Sequence, residues 1–306
     1  MNPITLFASL LLLCFHLSGT ASENKLPVDE IADGVYVHHG IHEDLDQGYH
    51  GDIANVGFII GSKGVAVIDT GGSLKIGKQL RESIRQVTSL PVLYVINTHV
   101  HPDHIFGNAA FTKDKPDFVG HTKLGNAMEL RKEAYMRSTQ SWLGEGFAGS
   151  EIVKPTLPVD KTLELDLGGR ALRLQAYPVA HTNTDITVLD SKTGTLWTGD
   201  LVFAERTPSI DGDIKGWLKV IQDIKSVPAT KVVPGHGPVM DGPGATTDVE
   251  RYLSTLLNDV RNSIKTGGTM EKAMETAAAS EKGKWQLFDI VNRRNVNLIY
   301  PELEWE

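Results

Sequence analysis

"INTHVHPDHIFGN" (residues 96–108) sets His99, His101, Asp103 and His104 within six consecutive positions. The run leading into it, "PVLYVINT" (91–98), is apolar and β-branched and reads as a buried strand. The cluster therefore falls just past a strand's carboxyl end, where sites usually form on α/β sheets. In extended chain, residues two apart point the same way, so His99 and His101 can grip one metal ion. Asp103 and His104, at the turn into a following helix, face a slightly different direction and can supply a second ion nearby. Imidazole with carboxylate suits zinc, and iron or manganese are also compatible.

Working outward, the chain before the cluster is a series of short apolar runs ended by glycine. "GVYVHHG" (34–40), "NVGFIIG" (55–61) and "GVAVIDTGG" (64–72) read as strands, with a tight turn at Gly61–Gly64. In "LKIGKQLRESIRQV" (74–87) the apolar residues Leu74, Ile76, Leu80, Ile84 and Val87 recur at helical spacing. Beyond the cluster, 122–142 reads as helix and 144–158 as an extended loop. Segments 162–166, 170–177, 185–190 and 194–198 read as a second set of strands. A helix over 213–226, a strand and turn over 231–237, and helix from about 245 onward complete the chain. "YPELEWE" (300–306) carries no legible pattern. This order predicts two sheets with helices outside them, rather than one doubly wound sheet.

Each metal needs about four ligands, so the cluster needs partners from strand ends elsewhere. Three stand out: His181 in "VAHTNTD", Asp200 in "LWTGD" and His236 in "VVPGHG". The glycines flanking His236 would let the backbone bring its imidazole close to an ion. His181 taken alone reads as an ordinary loop histidine; it gains meaning from the rest of the set.

"THVHPDH" (98–104) resembles the H-x-H-x-D-H signature of the metallo-β-lactamase superfamily. His181, Asp200 and His236 follow in the family's order, and "VAVIDTG" (65–71) is similar to its first motif, with Asp69 as a buried aspartate that either stands behind a metal ligand or is structural. The resemblance runs from about residue 31 to 240 and implies a four-layer αββα sandwich with the metals at one edge. It implies that His99, His101 and His181 hold one zinc, that Asp103, His104 and His236 hold the other, and that Asp200 bridges them. An aspartate at 200, where one lactamase branch has cysteine, is similar to the glyoxalase II and lactonase branches. The opening of the chain resembles exported zinc hydrolases found beside sulfur-oxidation and quinoprotein systems. The implied activity is hydrolysis of a small ester, thioester, lactone or lactam by a metal-bridging hydroxide, with Asp103 also orienting the nucleophile. β-Lactamase proper is an alternative. So is a mono-iron persulfide dioxygenase on the same fold, which would leave the second-site histidines without a task.

Around this centre, His121 ("VGHTK") is a candidate for the pocket wall. His42 and His50 lie in the polar loop 41–54, which is a candidate flap, although a plain surface role fits them better. Asn183 and Asp185 are candidates for supporting hydrogen bonds, and Trp142 for shaping access.

Composition sets the outer bounds. The 306 residues, 41% hydrophobic and 22% charged, are ordinary for a globular chain. A net charge of −8 argues against a nucleic-acid partner and otherwise reads as solubility; the expected partner is a small-molecule substrate. "ITLFASLLLLCFHLSG" (4–19), followed by Gly19 and Ala21, reads as a signal peptide over 1–21. The expected mature protein is then periplasmic or secreted, without stable membrane insertion. It comprises a core domain over 22–244 and helices over 245–306 packed on it. Its one cysteine, Cys14, would leave with the signal, so no thiolate ligand or cysteine nucleophile remains.

Overall fold

The computed structural model describes residues 25–46 and 48–306. The expected signal peptide and Cys14 lie outside these residues. A first sheet collects β1 (Asp29–Ala32), β2 (Val35–His38), β3 (Val56–Ile60), β4 (Val65–Ile68), β5 (Val92–Ile96), β6 (Asp117–His121) and β7 (Leu157–Val159) in chain order. Strands β1 to β4 pair antiparallel and β4 to β7 parallel. The parallel half requires crossovers. These are made by α1 (Leu74–Val87), by a segment containing α2 (Pro102–Ile105), and by α3 (Leu124–Leu143).

The second sheet runs β13-β12-β11-β10-β9-β8. Its strands are β8 (Thr162–Asp166), β9 (Ala171–Ala176), β10 (Ile186–Asp190), β11 (Thr195–Phe203), β12 (Lys231–His236) and β13 (Met240–Asp241). Helix α4 (Ile214–Lys225) makes the crossover between β11 and β12, the one parallel pair here among the described strands. The chain ends in α5 (Thr247–Lys265), α6 (Met270–Thr276) and α7 (Phe288–Leu303).

Side-chain alternation produces the layers. Along β4, Val65 and Val67 face outward onto Ile76, Leu80 and Ile84 of α1, while Ala66 and Ile68 face the second sheet. The space between the sheets is filled by residues such as Val37, Ile59 and Ile96 against Leu172, Ile186 and Trp197. The outer face of the second sheet meets Trp217 and Ile221 of α4, Tyr252 and Leu256 of α5, and Ile299 of α7. The result is helix, sheet, sheet, helix, as the sequence predicts. Helices α5 and α7 share one apolar cluster with β11 and α4, so the C-terminal segment packs on the sheet rather than standing apart.

Three expectations change. The strand expected at 194–198 extends to Phe203, with register shifts around Gly199 at φ +49°. Asp200 therefore sits inside a kinked strand and not at its end. The expected loop 144–158 begins with a 3-10 turn (Gly144–Phe147) and ends in edge strand β7. The unread C-terminus continues α7 through Pro301.

Candidate metal centre

The two sheets bring their site residues together at one edge. Strand β5 delivers Asn97, Thr98 and His99. The short α2 places Asp103 and His104, with His101 as the residue before it. His181 comes from the β9–β10 connection, Asp200 from the kink of β11, and His236 from the last position of β12. Glycine is needed beside two of these residues. A Cβ at Gly199 would lie 2.4 Å from Thr98 Oγ1, and one at Gly235 would lie 1.9 Å from Asp200 Oδ1.

The seven residues singled out in the sequence form two adjoining groups: His99, His101, His181 and Asp200, and Asp103, His104 and His236. Ligand-type atoms within each group lie within 4.8 Å of one another. Asp200 faces both groups. Its Oδ2 is 3.8 Å from His99 Nε2, 3.4 Å from His181 Nε2 and 3.3 Å from His236 Nε2; its Oδ1 is 3.2 Å from His104 Nε2. Asp103 Oδ2 is 3.4 Å from His104 Nε2 and 3.5 Å from His236 Nε2.

Every histidine in the set uses its other ring nitrogen as a donor to an oxygen outside the centre. His99 Nδ1 bonds Thr98 Oγ1 at 3.0 Å, His101 Nε2 bonds Asp211 Oδ2 at 3.1 Å, and His104 Nδ1 bonds Asp69 Oδ2 at 2.8 Å. His181 Nδ1 bonds the Ser209 carbonyl and His236 Nδ1 the Ile53 carbonyl, both at 2.7 Å. This pattern fixes the tautomers so that five lone pairs point inward, the usual arrangement of metal-binding imidazoles.

The inward atoms fit a cation and little else. His99 Nε2, His104 Nε2 and Asp200 Oδ1 are buried with no hydrogen-bond partner. His101 Nδ1 and His181 Nε2 face each other at 3.0 Å although both rings already donate through their other nitrogen. Burial drives His181 down to about 3 and His99 well below the ordinary imidazole range, so both are neutral. Burial lowers His104 as well, but Asp103, Asp200 and Asp69 outweigh it and push His104 well up, so its inward nitrogen draws positive charge, a proton or a metal ion. The centre is short of positive charge, which divalent ions would supply.

Asp69 is buried and serves both the backbone at Thr98 and the ring of His104. It accepts from Thr98 N at 2.8 Å and Thr98 Oγ1 at 2.7 Å in addition to His104. Its φ of +51° turns the chain sharply at the end of β4. Asp185 holds the His181 loop by accepting from Thr182 N and Oγ1, and burial pushes its carboxyl up to about 7. Asn183 Oδ1 is buried without a partner among the described residues.

A cavity of about 330 Å³ opens over the centre. Trp142 lines it, as expected. His121 does not: it is buried at the end of β6, where its Nδ1 accepts from Lys123 N. His50 is exposed and bonded to Glu43. His42 departs from the surface reading. Its side chain is only 16% exposed, and burial together with Arg206 and His236 pushes its imidazole down.

Sequence reasoning missed Arg131, Tyr135, Arg206 and Asp211, which also line the cavity. Arg131, Tyr135, Ser138 and Trp142 are a 4-3-4 stripe along α3 and so were visible as one helix face. Asp211 and Arg206 lie in irregular chain after β11 and carried no periodic signal.

A model described as the metallo-beta-lactamase superfamily matches residues 50–236. The beta-lactamase-like protein 2 homolog of Caenorhabditis elegans is 26% identical over 184 residues, 60% of this chain and 55% of its own. The chain thus spans about half the length of that curated relative. A linear primary-alkylsulfatase from Pseudomonas sp. is 29% identical over 62 residues, 20% of this chain and 12% of that one. Among solved structures, a metallo-beta-lactamase from Pontibacter korlensis superposes with a TM-score of 0.60 at 21% identity, covering 75% of this chain and 99% of its own. The inverting sec-alkylsulfatase Pisa1 from Pseudomonas sp. superposes with a TM-score of 0.69 at 17% identity, covering 92% of this chain and 50% of its own. At these identities the two structures establish a shared fold.

Proposed function

The chain belongs to the metallo-beta-lactamase superfamily, and from that membership we propose that it is an exported hydrolase holding two divalent metal ions, zinc in the first instance. The observation that carries this reading is that His99 Nε2, His104 Nε2 and Asp200 Oδ1 face inward, buried without a partner, while oxygen contacts behind all five rings fix their orientation. His99, His101 and His181 would hold one ion, Asp103, His104 and His236 the other, and Asp200 both. Such a pair supplies Lewis acidity and a water that ionises near neutral pH.

The chain's own residues do the rest. Asp103 lines the cavity and is placed to accept a hydrogen bond from an attacking water and so orient it. Asp211 holds the His101 ring, and Arg131, 2.5 Å from the same Oδ2, holds Asp211. Trp142, Phe203 and Ile53 wall the cavity with apolar surface that limits water around the reacting carbonyl. No cysteine or serine nucleophile is required.

The substrate is proposed as a small ester, thioester, lactone or lactam, with sulfate esters added by the alkylsulfatase relatives. Export rests on the apolar run 4–19. No helix among the described residues is long and apolar enough to cross a membrane. The persulfide dioxygenase reading is disfavoured by the second group of Asp103, His104 and His236, which a single iron would leave idle.

The test is metal analysis of zinc-replete protein after dialysis, together with a hydrolysis screen over these substrate classes. Two bound ions with turnover of one class support the reading. A single tightly bound iron with oxygen-dependent persulfide oxidation overturns it.

A further inference from the structure

His38, the last residue of β2, is 3% exposed, and both of its ring nitrogens meet acceptors. Nδ1 lies 2.7 Å from the Pro27 carbonyl, and Nε2 lies 2.7 Å from Asp52 Oδ1. A neutral imidazole carries one N–H and satisfies only one of these oxygens, whereas an imidazolium satisfies both. The geometry therefore selects the charged ring, paired with Asp52. The charged groups that act on it are both acidic: Asp52, and Asp29 of β1, which also lies 3.9 Å from His39 Nε2. β3 places the apolar Val56 opposite it. Burial lowers the imidazole, but Asp52, the Pro27 carbonyl and Asp29 outweigh it and hold the ring above its ordinary range.

The pair ties β2 to the stretch that backs His236. Asp52 is followed by Ile53, whose carbonyl accepts from His236 Nδ1 at 2.7 Å and whose side chain lines the cavity. Gly40, two residues past His38, lies against the same peptide: a Cβ there would sit 2.3 Å from Ile53 O. The flanks of the stretch are fixed separately. Gly51 O accepts from Gly72 N and Asp52 O from Ile41 N, both at 2.9 Å. The Asn55 amide donates to the Pro234 and Gly237 carbonyls at 2.9 and 2.7 Å. Of these ties, the His38–Asp52 contact is the one whose charge changes on titration of an imidazole.

We propose that His38 is a positioning residue that works as a pH-released latch: its imidazolium holds Asp52, and through Asp52 the Ile53 carbonyl behind His236, and loss of the ring proton loosens the second metal position. This deepens the two-metal reading and rests on it. Because the folded ring is held above its ordinary value of 6.5, the latch is closed below that pH and opens as pH rises through the folded value. Deprotonation leaves one N–H for two oxygens, so one of the two contacts is lost. A support behind a ligating imidazole is worth roughly 10–100-fold in metal affinity, and one acting through two further residues belongs at the low end of that range.

The experiment compares wild type, His38→Gln and Asp52→Asn. In the protein as purified, the His38 ring nitrogens are followed by NMR from about pH 5.5 to about pH 10, with hydrogen-exchange protection of residues 48–55 measured at the same steps. His38 should carry a proton on both nitrogens at the acid end, and protection should fall as the ring titrates. In zinc-loaded protein, chelator competition across the same range gives the affinity step that His236→Ala weakens. Wild type should exceed both variants about tenfold near pH 6.5, and the ratio should fall toward one at the alkaline end, where the wild-type latch has opened as well. Taking the ratio removes the general gain in metal affinity as ligands lose protons. A neutral His38 near pH 6.5, protection that does not follow its titration, or a ratio that stays constant with pH overturns the proposal. Should a variant fail to fold, the wild-type titration and protection decide alone. Failure of wild type to bind a second ion overturns the two-metal reading instead, and the same two wild-type measurements still decide the latch.

Discussion

Asp200 is the residue on which the centre turns, because one carboxylate faces four imidazoles drawn from both groups. Asp200→Ala should therefore empty both metal positions, whereas His236→Ala should mainly weaken the one shared with Asp103 and His104. Metal analysis of the dialysed variants checks this; a variant lacking Asp200 that retains two ions refutes the bridging assignment. His121→Ala should leave metal content unchanged, since its ring is spent on the Lys123 amide. Asp211 acts one step back. Asp211→Asn keeps the size but weakens the bond that orients His101 and loses the ion pair to Arg131, so first-site affinity should fall roughly 10–100-fold. Competition with a chromophoric chelator measures this.

At the scale of elements, the kinked β11 and the end of β12 must nearly touch. Gly235→Ala would drive a Cβ against Asp200 Oδ1 and also to within 2.8 Å of Asp200 N, a backbone contact that cannot swing away. Metal affinity should drop about tenfold or more, with the secondary structure retained by circular dichroism. The C-terminal helices have their own buried anchor. Glu281 sits between α6 and α7, accepting from Arg251, Lys284 and Trp285 Nε1. Burial would raise its carboxyl, but these donors hold it down at about 2 against an ordinary 4.5. A carboxyl depressed in the folded state contributes stability above its unfolded pKa and loses that contribution as pH falls toward the folded value. Wild type should thus lose on the order of 1–3 kcal/mol from this group between about pH 4.5 and 2. Glu281→Gln should be less stable at pH 7 and show a shallower fall across that window. Urea midpoints at several pH values test it, and an identical acid limb in both proteins counts against the assignment.

For the whole molecule, the sheets are stapled at the end remote from the candidate metal centre. Arg170 makes a buried two-pronged pair with Asp190 at 2.9 and 2.6 Å and also donates to the carbonyls of Ile60 and Asp33 across the sandwich. Asp190→Asn would leave a buried guanidinium unpaired and should cost about 3–5 kcal/mol in denaturant unfolding. Removing metal with a chelator should act differently. The layers themselves are filled by apolar side chains, although His181 packs on Phe203 and Trp217 and His236 stacks on Phe203 where the centre meets the core. Chelated protein should keep its far-ultraviolet spectrum at 25 °C but melt several degrees lower, because ligands that bind only the folded state stabilise it. Loss of the sheet signal on chelation would show that the centre is part of the folding core.

Much of this protein was determined by local sequence. The α1 boundaries follow from Ile76, Leu80 and Ile84 on one face with Ser73 capping the first turn, and both are properties of adjacent residues. The seven candidate residues were legible because histidines and aspartates with metal-ligand chemistry recur in or beside predicted strands, and the structure brings them together in two adjoining groups. Arg206, Asp211 and the extension of β11 to Phe203 were not legible. Arg206 looks like any surface arginine until the hydrogen bond from its neighbour Thr207 to Gln286, 80 residues on, turns it into the cavity. Asp211 becomes a support for His101 only because the chain after β11 returns to α2, and the β11 kink exists because Gly199 must pass Thr98 of the other sheet. Periodicity and spacing act between neighbours along the chain. Burial of an unpaired charge, and the close approach of two backbones, depend on contacts that exist only once the layers have closed.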